Sequence, residues 1–431
     1  MINWRYFLSS KVKRNSLANL ARVILGLPLS VFFTYFVLKK LSLTDYGTWA
    51  LAFSFFSYFS FADFGVSTAV TRFVSYHQAR KEEKMINQII NTSFFFYLLS
   101  GLILLLILLV FKNFFLANFF KGATASFSLQ SHVFTWIVIM GYLSFCLASF
   151  ISALNGFQQM VLTNLADLLK TIIMTGFGFW LLNASPGLPS LVSAFVVSIL
   201  VWAVVILAFT KSAFSNLSIS WRHFDLKVLR SMLKFGIQTQ FSSLAFFIHF
   251  NFDKIITGYF LGVEKVSYLD IALKIINQSR LLVSSLISPL LPAAAEKIVL
   301  YKDKISEFYD NSFRYVVLFS GLVFGGLFIF TPFLVRLWLG PGFEPAALAT
   351  QILALGHFVN LCTGPAVSIL MGQNNIRPLI LASSAAVVAN ILFSMVGISL
   401  FGLYGAVAGT ALALVLVDTI FLIIIPKYFP K

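Results

Sequence analysis

Ten ionisable side chains lie inside long apolar runs of this chain: Arg22, Asp63, Asp167, Lys170, Asp253, Lys254, Asp270, Lys274, Arg280 and Asp418. A charge set in hydrocarbon costs about 2.5–3.5 kcal/mol on insertion scales, so such residues face a polar interior or a partner. Two chemistries fit these residue types. Guanidinium and ammonium groups make charge-assisted hydrogen bonds to an anionic headgroup. Carboxylates held away from water take up a proton or a cation. The candidate headgroup-binding residues are Arg22, Lys254, Lys274, Arg280 and Asn277, and the candidate coupling or cavity carboxylates are Asp63, Asp253 and Asp270. No residue set has the spacing of a catalytic centre or a metal site.

The sharpest pattern surrounds Asp270. At about 100° per residue, Asp270, Lys274, Asn277, Ser284 and Ser288 fall within about 80° of one another on a helix, with Arg280 flanking them. Such a stripe is either a cavity wall that binds an anion or a packed interface in which Asp270 and Lys274 neutralise each other at i,i+4. Asn15, Asn19, Arg22 and Gly26 make a smaller stripe, from which Arg22 either reaches a phosphate or snorkels to the membrane surface. Asp253 and Lys254 either act separately or cancel as neighbours. Asp63 is either a proton or cation carrier or the partner of a cation such as Arg22. Asp167 and Lys170 have local i,i+3 spacing, His249 reads as a core histidine, and Asp418 carries little information.

The elements that must hold these residues are membrane helices. The chain has 431 residues, of which 59% are hydrophobic and 11% charged, with a mean hydropathy of +0.90. Soluble domains carry about 25% charged residues, so a soluble fold is excluded. Segments long enough to cross about 30 Å of hydrocarbon fall at 15–38, 47–71, 89–111, 132–155, 161–183, 189–210, 235–261, 266–292, 315–338, 346–371, 378–401 and 403–425. The net charge of +16 concentrates in alternate connections, among them 80–84, 211–234 and 297–314. The positive-inside rule then sets both termini in the cytoplasm, and the basic balance reads as topology and contact with membrane lipids, not nucleic acid. Trp49, Trp136, Trp180, Trp202 and Trp338 fall mostly near span ends and read as interfacial anchors. Cys146 and Cys362 fall within spans and read as packing residues.

An offset of 220 residues aligns the two halves of the chain. Leu41–Gly47 falls on Leu261–Ser267 and Arg80–Lys84 on Leu300–Lys304; after a small gap, Gly156–Gln159 falls on Gly372–Asn375. Six spans per half return the chain to its starting side, which predicts two lobes related by a pseudo-two-fold axis along the membrane normal. The expected fold class is an all-α integral membrane protein with twelve transmembrane helices in two six-helix lobes around a central cavity. Its parts are a cytoplasmic segment (1–14), an N-lobe (15–210), a cytoplasmic linker (211–234), a C-lobe (235–425) and a tail (426–431).

Several patches now carry a family likeness: Leu43-Thr44-Asp45-Tyr46-Gly47-Thr48-Trp49, Phe61-Ala62-Asp63-Phe64-Gly65-Val66, and Asn251 to Gly262 followed by Val266-Ser267-Tyr268 and Ala272-Leu273-Lys274-Ile275. In order and spacing the chain resembles the polysaccharide-transport family, the Wzx-type flippases of the MOP superfamily. Leu269-Asp270 departs from the small or neutral residues expected there. The resemblance implies a MATE-like fold and alternating access. It implies translocation of polyprenyl-pyrophosphate-linked oligosaccharide from the cytoplasmic to the outer leaflet, for O-antigen, capsule or similar surface polysaccharide. The setting implied is the inner membrane of a prokaryote. Expected partners are the lipid-linked oligosaccharide, membrane lipids and glycan polymerase machinery, with the protein acting as a monomer. No cofactor is expected, and a proton or sodium gradient is the candidate energy source.

Two other functions remain open. A cation-coupled multidrug or metabolite antiporter of the MATE type would need a less cationic cavity. A membrane polysaccharide polymerase or transferase would carry a sizeable loop with acid, base or metal-binding residues, and the 112–131 connection carries only Lys112 and Lys121. A lipid II flippase is a third possibility, but such proteins resemble fourteen-span chains and twelve spans are counted here. The absence of a GxxxxGK[ST] motif argues against ATP-driven transport.

Overall fold

The structure, a computed structural model, describes residues 25–26, 28–287, 290–300, 305–373 and 375–425, with the backbone alone for 238–250, 292, 295, 296, 299 and 300. The described residues form helices and no strands. In chain order these are α1 (28–40), α2 (Leu43–Phe56), a 3-10 segment Ser57–Asp63, α3 (Val66–Ala79), α4 (Glu83–Val110), α5 (Lys112–Phe119), α6 (Phe127–Cys146), α7 (Ala148–Gly156), α8 (Met160–Ala184) and α9 (Leu188–Ala213). They continue as α10 (Leu226–Leu261), α11 (Val263–Ile287), α12 (Leu290–Leu300), α13 (Ile305–Leu339), α14 (Glu344–Cys362), α15 (Gly364–Gly372) and α16 (Arg377–Ile424).

Among the described residues, seven helices are long and apolar enough to cross a membrane, or eight if the bent pair Leu43–Asp63 and Val66–Ala79 counts as one span. Length and apolarity therefore do not return the expected count of twelve. Coverage of the first expected span and two physical reasons account for the difference. Only part of the 15–38 segment is described. The expected spans at 235–261 and 266–292 fall on α10 and α11, whose polar and charged residues keep them below the apolarity of the others. The expected spans at 378–401 and 403–425 are the two arms of α16, which is broken at Gly402 (φ 60°, ψ −135°). Ser394 Oγ donates to the Ala406 carbonyl at 3.1 Å and Asn390 Nδ2 to Thr410 Oγ1 at 2.7 Å, so the arms run antiparallel as a hairpin.

The second expected span is not straight. Its two helical parts meet at 52°, across Phe64 and Gly65, both in the left-handed region (φ 48° and 73°). Asp63 caps the restart: its Oδ1 accepts from the Ser67 backbone N–H at 3.1 Å and its Oδ2 from Ser67 Oγ at 2.8 Å. Carboxylates are favoured at such helix starts because they satisfy orphan N–H groups.

The chain divides into two compact units, 1–118 with 124–240, and 119–123 with 241–431. In the first, α6 packs on α2, α4 and α9. In the second, α14 packs on α11, α13 and α16. The two spans built on α6 and α14 are the most buried of the candidates. Small residues make the second centre close-packed: a Cβ on Gly356 of α14 would lie 2.7 Å from Ala411 Cα. Membrane helices approach closely through such residues, since lipid gives no hydrophobic drive between helices. The basic 211–234 stretch packs within the first unit. Asn87 and Asn91 of α4 bind the backbone of Asn216, Ser218 and Ser220 at 2.8–3.1 Å. The short 119–123 segment belongs to the second unit, where the Lys121 carbonyl accepts from Val263 N–H at 3.0 Å.

Candidate functional site

α10 and α11 form the polar heart of the second unit. Gly262, at φ 83°, makes the turn between them, and α11 then carries Asp270 back beside Lys254. Lys254 Nζ lies 2.5 Å from Asp270 Oδ1, and Lys274 Nζ lies 3.3 Å from Asp270 Oδ2. One buried carboxylate is thus held between two ammonium groups, which leaves the cluster with an excess of one positive charge. The Lys254 and Asp270 side chains are 16% and 8% exposed, whereas Lys274 is 44% exposed. Lys274 is therefore the most exposed member of the cluster. The expected Asp270–Lys274 pair is present, but the suggested cancellation of Asp253 by Lys254 is not. Adjacent helical residues point about 100° apart, and these two serve different neighbours.

Asp253 turns toward α16. Its carboxylate is fully buried, and Oδ2 accepts a hydrogen bond from Thr410 Oγ1. Asn390 Nδ2 donates to Thr410 Oγ1 at 2.7 Å and lies 3.4 Å from Ser394 Oγ. Among the described residues, Asp253 Oδ1, Asn390 Oδ1 and Thr257 Oγ1 are buried without a hydrogen-bond partner. A buried acceptor left unsatisfied costs about 1–3 kcal/mol, and native proteins rarely leave one without a reason. Asp253 and Asn390 meet at Thr410 Oγ1 through their other polar atoms, so the groups gathered here are carboxylate, amide and hydroxyl, the oxygen chemistry that a proton or a small hard cation prefers and a soft metal does not.

A third group lies further along α11. Arg280 Nη1 donates to His357 Nδ1 at 2.8 Å and to Asn360 Oδ1 at 2.9 Å. Asn360 Nδ2 in turn donates to Asp418 Oδ2 at 2.9 Å. Arg280 therefore reaches across to α14, off the stripe that carries Lys274. Asn277 is half-buried on α11.

In the first unit, Asp63 is half-buried and accepts from Tyr97 Oη at 2.5 Å in addition to Ser67. The acid is thus bound by the start of α3 and by a tyrosine of α4. Asp167 pairs locally with Lys170 at 3.6 Å and accepts from Trp202 Nε1 at 3.1 Å. Trp202 is thus a buried partner and not the interfacial anchor its position suggested. Arg22 and its stripe with Asn15 and Asn19 lie outside the described residues, as does the side chain of His249.

Sequence reasoning missed Thr410, Asn390, Ser394, His357 and Asn360, and discounted Asp418. A signal was available. Asn390 and Ser394 lie at i,i+4, and His357 and Asn360 at i,i+3, in otherwise apolar helices where polar residues are costly. Each is neutral in sequence terms, so a search for charges passes over it.

A family model described as polysaccharide biosynthesis protein matches residues 40–348. The chain is 21% identical to a Shigella flexneri protein named "Putative O-antigen transporter" over 425 residues, covering 94% of this chain and 95% of that one. Among solved structures, a lipid II flippase, MurJ, in an inward closed conformation superposes with a TM-score of 0.76 at 18% identity, over 96% of this chain and 88% of that one. An inward-facing multidrug resistance MATE family transporter of the MOP superfamily superposes with a TM-score of 0.72 at 14% identity, over 96% and 94%. The fold is therefore that of the MATE and MurJ transporters.

Proposed function

Since the chain belongs to the polysaccharide biosynthesis protein family, we propose that it flips a polyprenyl-pyrophosphate-linked oligosaccharide from the cytoplasmic to the outer leaflet by alternating access. The transporter fold and the family argue for transport and against an enzyme. The observation that carries the substrate reading is the Lys254–Asp270–Lys274 cluster. A diphosphate approaching half-exposed Lys274 competes with Asp270 for both ammonium groups. It replaces one carboxylate with several acceptor oxygens of higher charge, so charge-assisted bonds offset the water it sheds. Arg280 is the further cation on the same helix, and release from His357 and Asn360 is what it would need to join. Arg22 is proposed for the same headgroup.

Energy is proposed to enter through Asp253. This residue sits one position from Lys254 on α10 and faces the oxygen cluster of α16, so one helix carries the ion site and the headgroup cation on neighbouring faces. Proton or sodium binding at Asp253 Oδ1 removes the buried negative charge and alters how α10 packs on α16. Lys254 moves with α10 as a consequence. The inner membrane, cytoplasmic termini, a monomeric state and a glycan polymerase as neighbour belong to this same proposal.

The test is complementation of a flippase-null strain, scored by surface glycan and by the amount of protein in the membrane. Lys254→Ala, Lys274→Ala and Arg280→Ala are each expected to abolish export with expression intact, and Asp253→Asn to uncouple it from the ion gradient. Full complementation by all three cation variants overturns the headgroup site. The MATE-type antiporter is kept as a second reading on one observation, the ion-ready cluster at Asp253, and drug efflux by the wild type without glycan export would select it.

A further inference from the structure

A cavity of about 420 Å³ opens in the first unit where the last turns of α3, the first turns of α4 and the first turns of α10 meet. Phe73, Met85, Ile89 and Val228 supply an apolar wall, and Arg72 and Lys227 supply charge. The nearby acids already have partners, in the case of Glu82 the lining residue His77. Glu82 is taken by His77 at 2.5 Å and Arg80 at 3.7 Å, and Glu83 accepts from Asn216 Nδ2 at 2.6 Å. Asp225 accepts from the backbone N–H groups of Lys227 and Val228 at 2.7 and 3.2 Å. Among the described residues neither Arg72 nor Lys227 forms an ion pair, and the Arg72 guanidinium rests over the Phe235 ring at 4.4 Å.

We infer that this cavity binds one anionic phospholipid of the surrounding bilayer. Its phosphate lies between Arg72 and Lys227, and its first methylenes lie against Phe73, Met85, Ile89 and Val228. A free phosphate answers the two cations but leaves the apolar wall wet. A zwitterionic lipid covers the wall but brings its own ammonium to two others. Only an anionic amphiphile satisfies both, and basic pockets between membrane helices are known to select such headgroups. The volume suits a headgroup with the start of its chains. An oligosaccharide-bearing lipid is larger than the space, so this site is separate from the proposed transport substrate and does not rest on the flippase reading.

The full chain, purified in neutral detergent, is incubated with phosphatidylglycerol, phosphatidylcholine or inorganic phosphate, and bound lipid is counted by native mass spectrometry. One phosphatidylglycerol per chain is expected to be retained over phosphatidylcholine, with no displacement by phosphate. Each basic residue at a bilayer surface is worth about fivefold in lipid affinity, so Arg72→Gln with Lys227→Gln is expected to lose about 30-fold. Arg230→Gln with Lys234→Gln removes the same charge nearby without touching the cavity and is expected to change little. Lys227→Arg is expected to keep binding, which separates loss of charge from loss of folding. Unchanged retention in the Arg72/Lys227 pair, equal loss in the Arg230/Lys234 pair, or displacement of the lipid by phosphate each overturns the inference.

Discussion

Asp270 is the residue on which the charged cluster turns, because its carboxylate pairs with both Lys254 and Lys274. Removing it leaves a mostly buried ammonium without its anion, whereas removing Lys274 leaves Asp270 still paired with Lys254. Breaking a buried pair from one side costs about 3–5 kcal/mol, and an exposed pair is worth about 0–1 kcal/mol. Asp270→Asn is therefore expected to destabilise the protein by about 3 kcal/mol, and Lys274→Gln by less than about 1 kcal/mol, as read by thermal or denaturant unfolding in detergent. The double variant Asp270→Asn with Lys254→Met is expected to recover most of the loss, since the one ammonium it leaves without this carboxylate is the half-exposed Lys274. Equal effects for the two single variants would contradict this ordering. The i,i+4 half of the cluster was legible in the sequence, because helical spacing alone brings Asp270 to Lys274. The half contributed by Lys254 was not, since it depends on how tightly the chain turns at Gly262 and how α10 then lies on α11. The same blindness hid the Asp253 cluster, in which Thr410 stands 157 residues away in sequence.

At the scale of elements, apolar runs located the helices and said little about their breaks. Nothing in Ser57-Tyr58-Phe59-Ser60-Phe61-Ala62-Asp63 announces a 3-10 segment by hydropathy, and the bend had to be sought in Asp63-Phe64-Gly65, an acid cap followed by a glycine. Two glycine contacts make these breaks testable. Gly65 has φ 73°, and a Cβ there would collide with the Gly236 carbonyl oxygen in the first turns of α10. In the α16 hairpin, a Cβ on Gly405 would collide with the Gly397 carbonyl oxygen. A left-handed conformation costs an L-residue about 1–2 kcal/mol before any collision is counted. Gly65→Ala and Gly405→Ala are expected to lower the yield of folded protein severalfold by size-exclusion fluorescence. Gly326→Ala on α13 meets nothing within 4 Å and is expected to be neutral. A neutral Gly405→Ala would mean that the two arms of α16 do not approach as closely as their hydrogen bonds require.

At the scale of the whole chain, the repeat seen in a handful of residues reappears in the elements themselves. α2 begins at Leu43 and α11 at Val263, 220 residues later. The span of α6 breaks before Ala148 and that of α14 before Gly364, 216 residues later, and α7 and α15 end at Gly156 and Gly372 with the same separation. Pro365 stands at the second break, whereas the matching position at the first is Ser149, so the break is a property of the repeated packing and not of proline. Repeated elements on either side of an even number of crossings must present equivalent loops to the same side of the membrane. The distribution of Lys and Arg then sets which side that is. With Cys146→Ala and Cys362→Ala removing the two buried native thiols, single cysteines report the answer. Arg80→Cys and Arg222→Cys are expected to react with a membrane-impermeant maleimide only after the cells are opened. Ser185→Cys and Pro341→Cys are expected to react in intact cells. Positions 80, 185, 222 and 341 are exposed in the structure, so a failure to label cannot be put down to burial. Labelling of Ser185→Cys and Pro341→Cys from opposite sides would break the parallel repeat, and labelling of Arg222→Cys in intact cells would invert the orientation on which the proposed loading of the Lys254–Lys274 cluster from the cytoplasm depends.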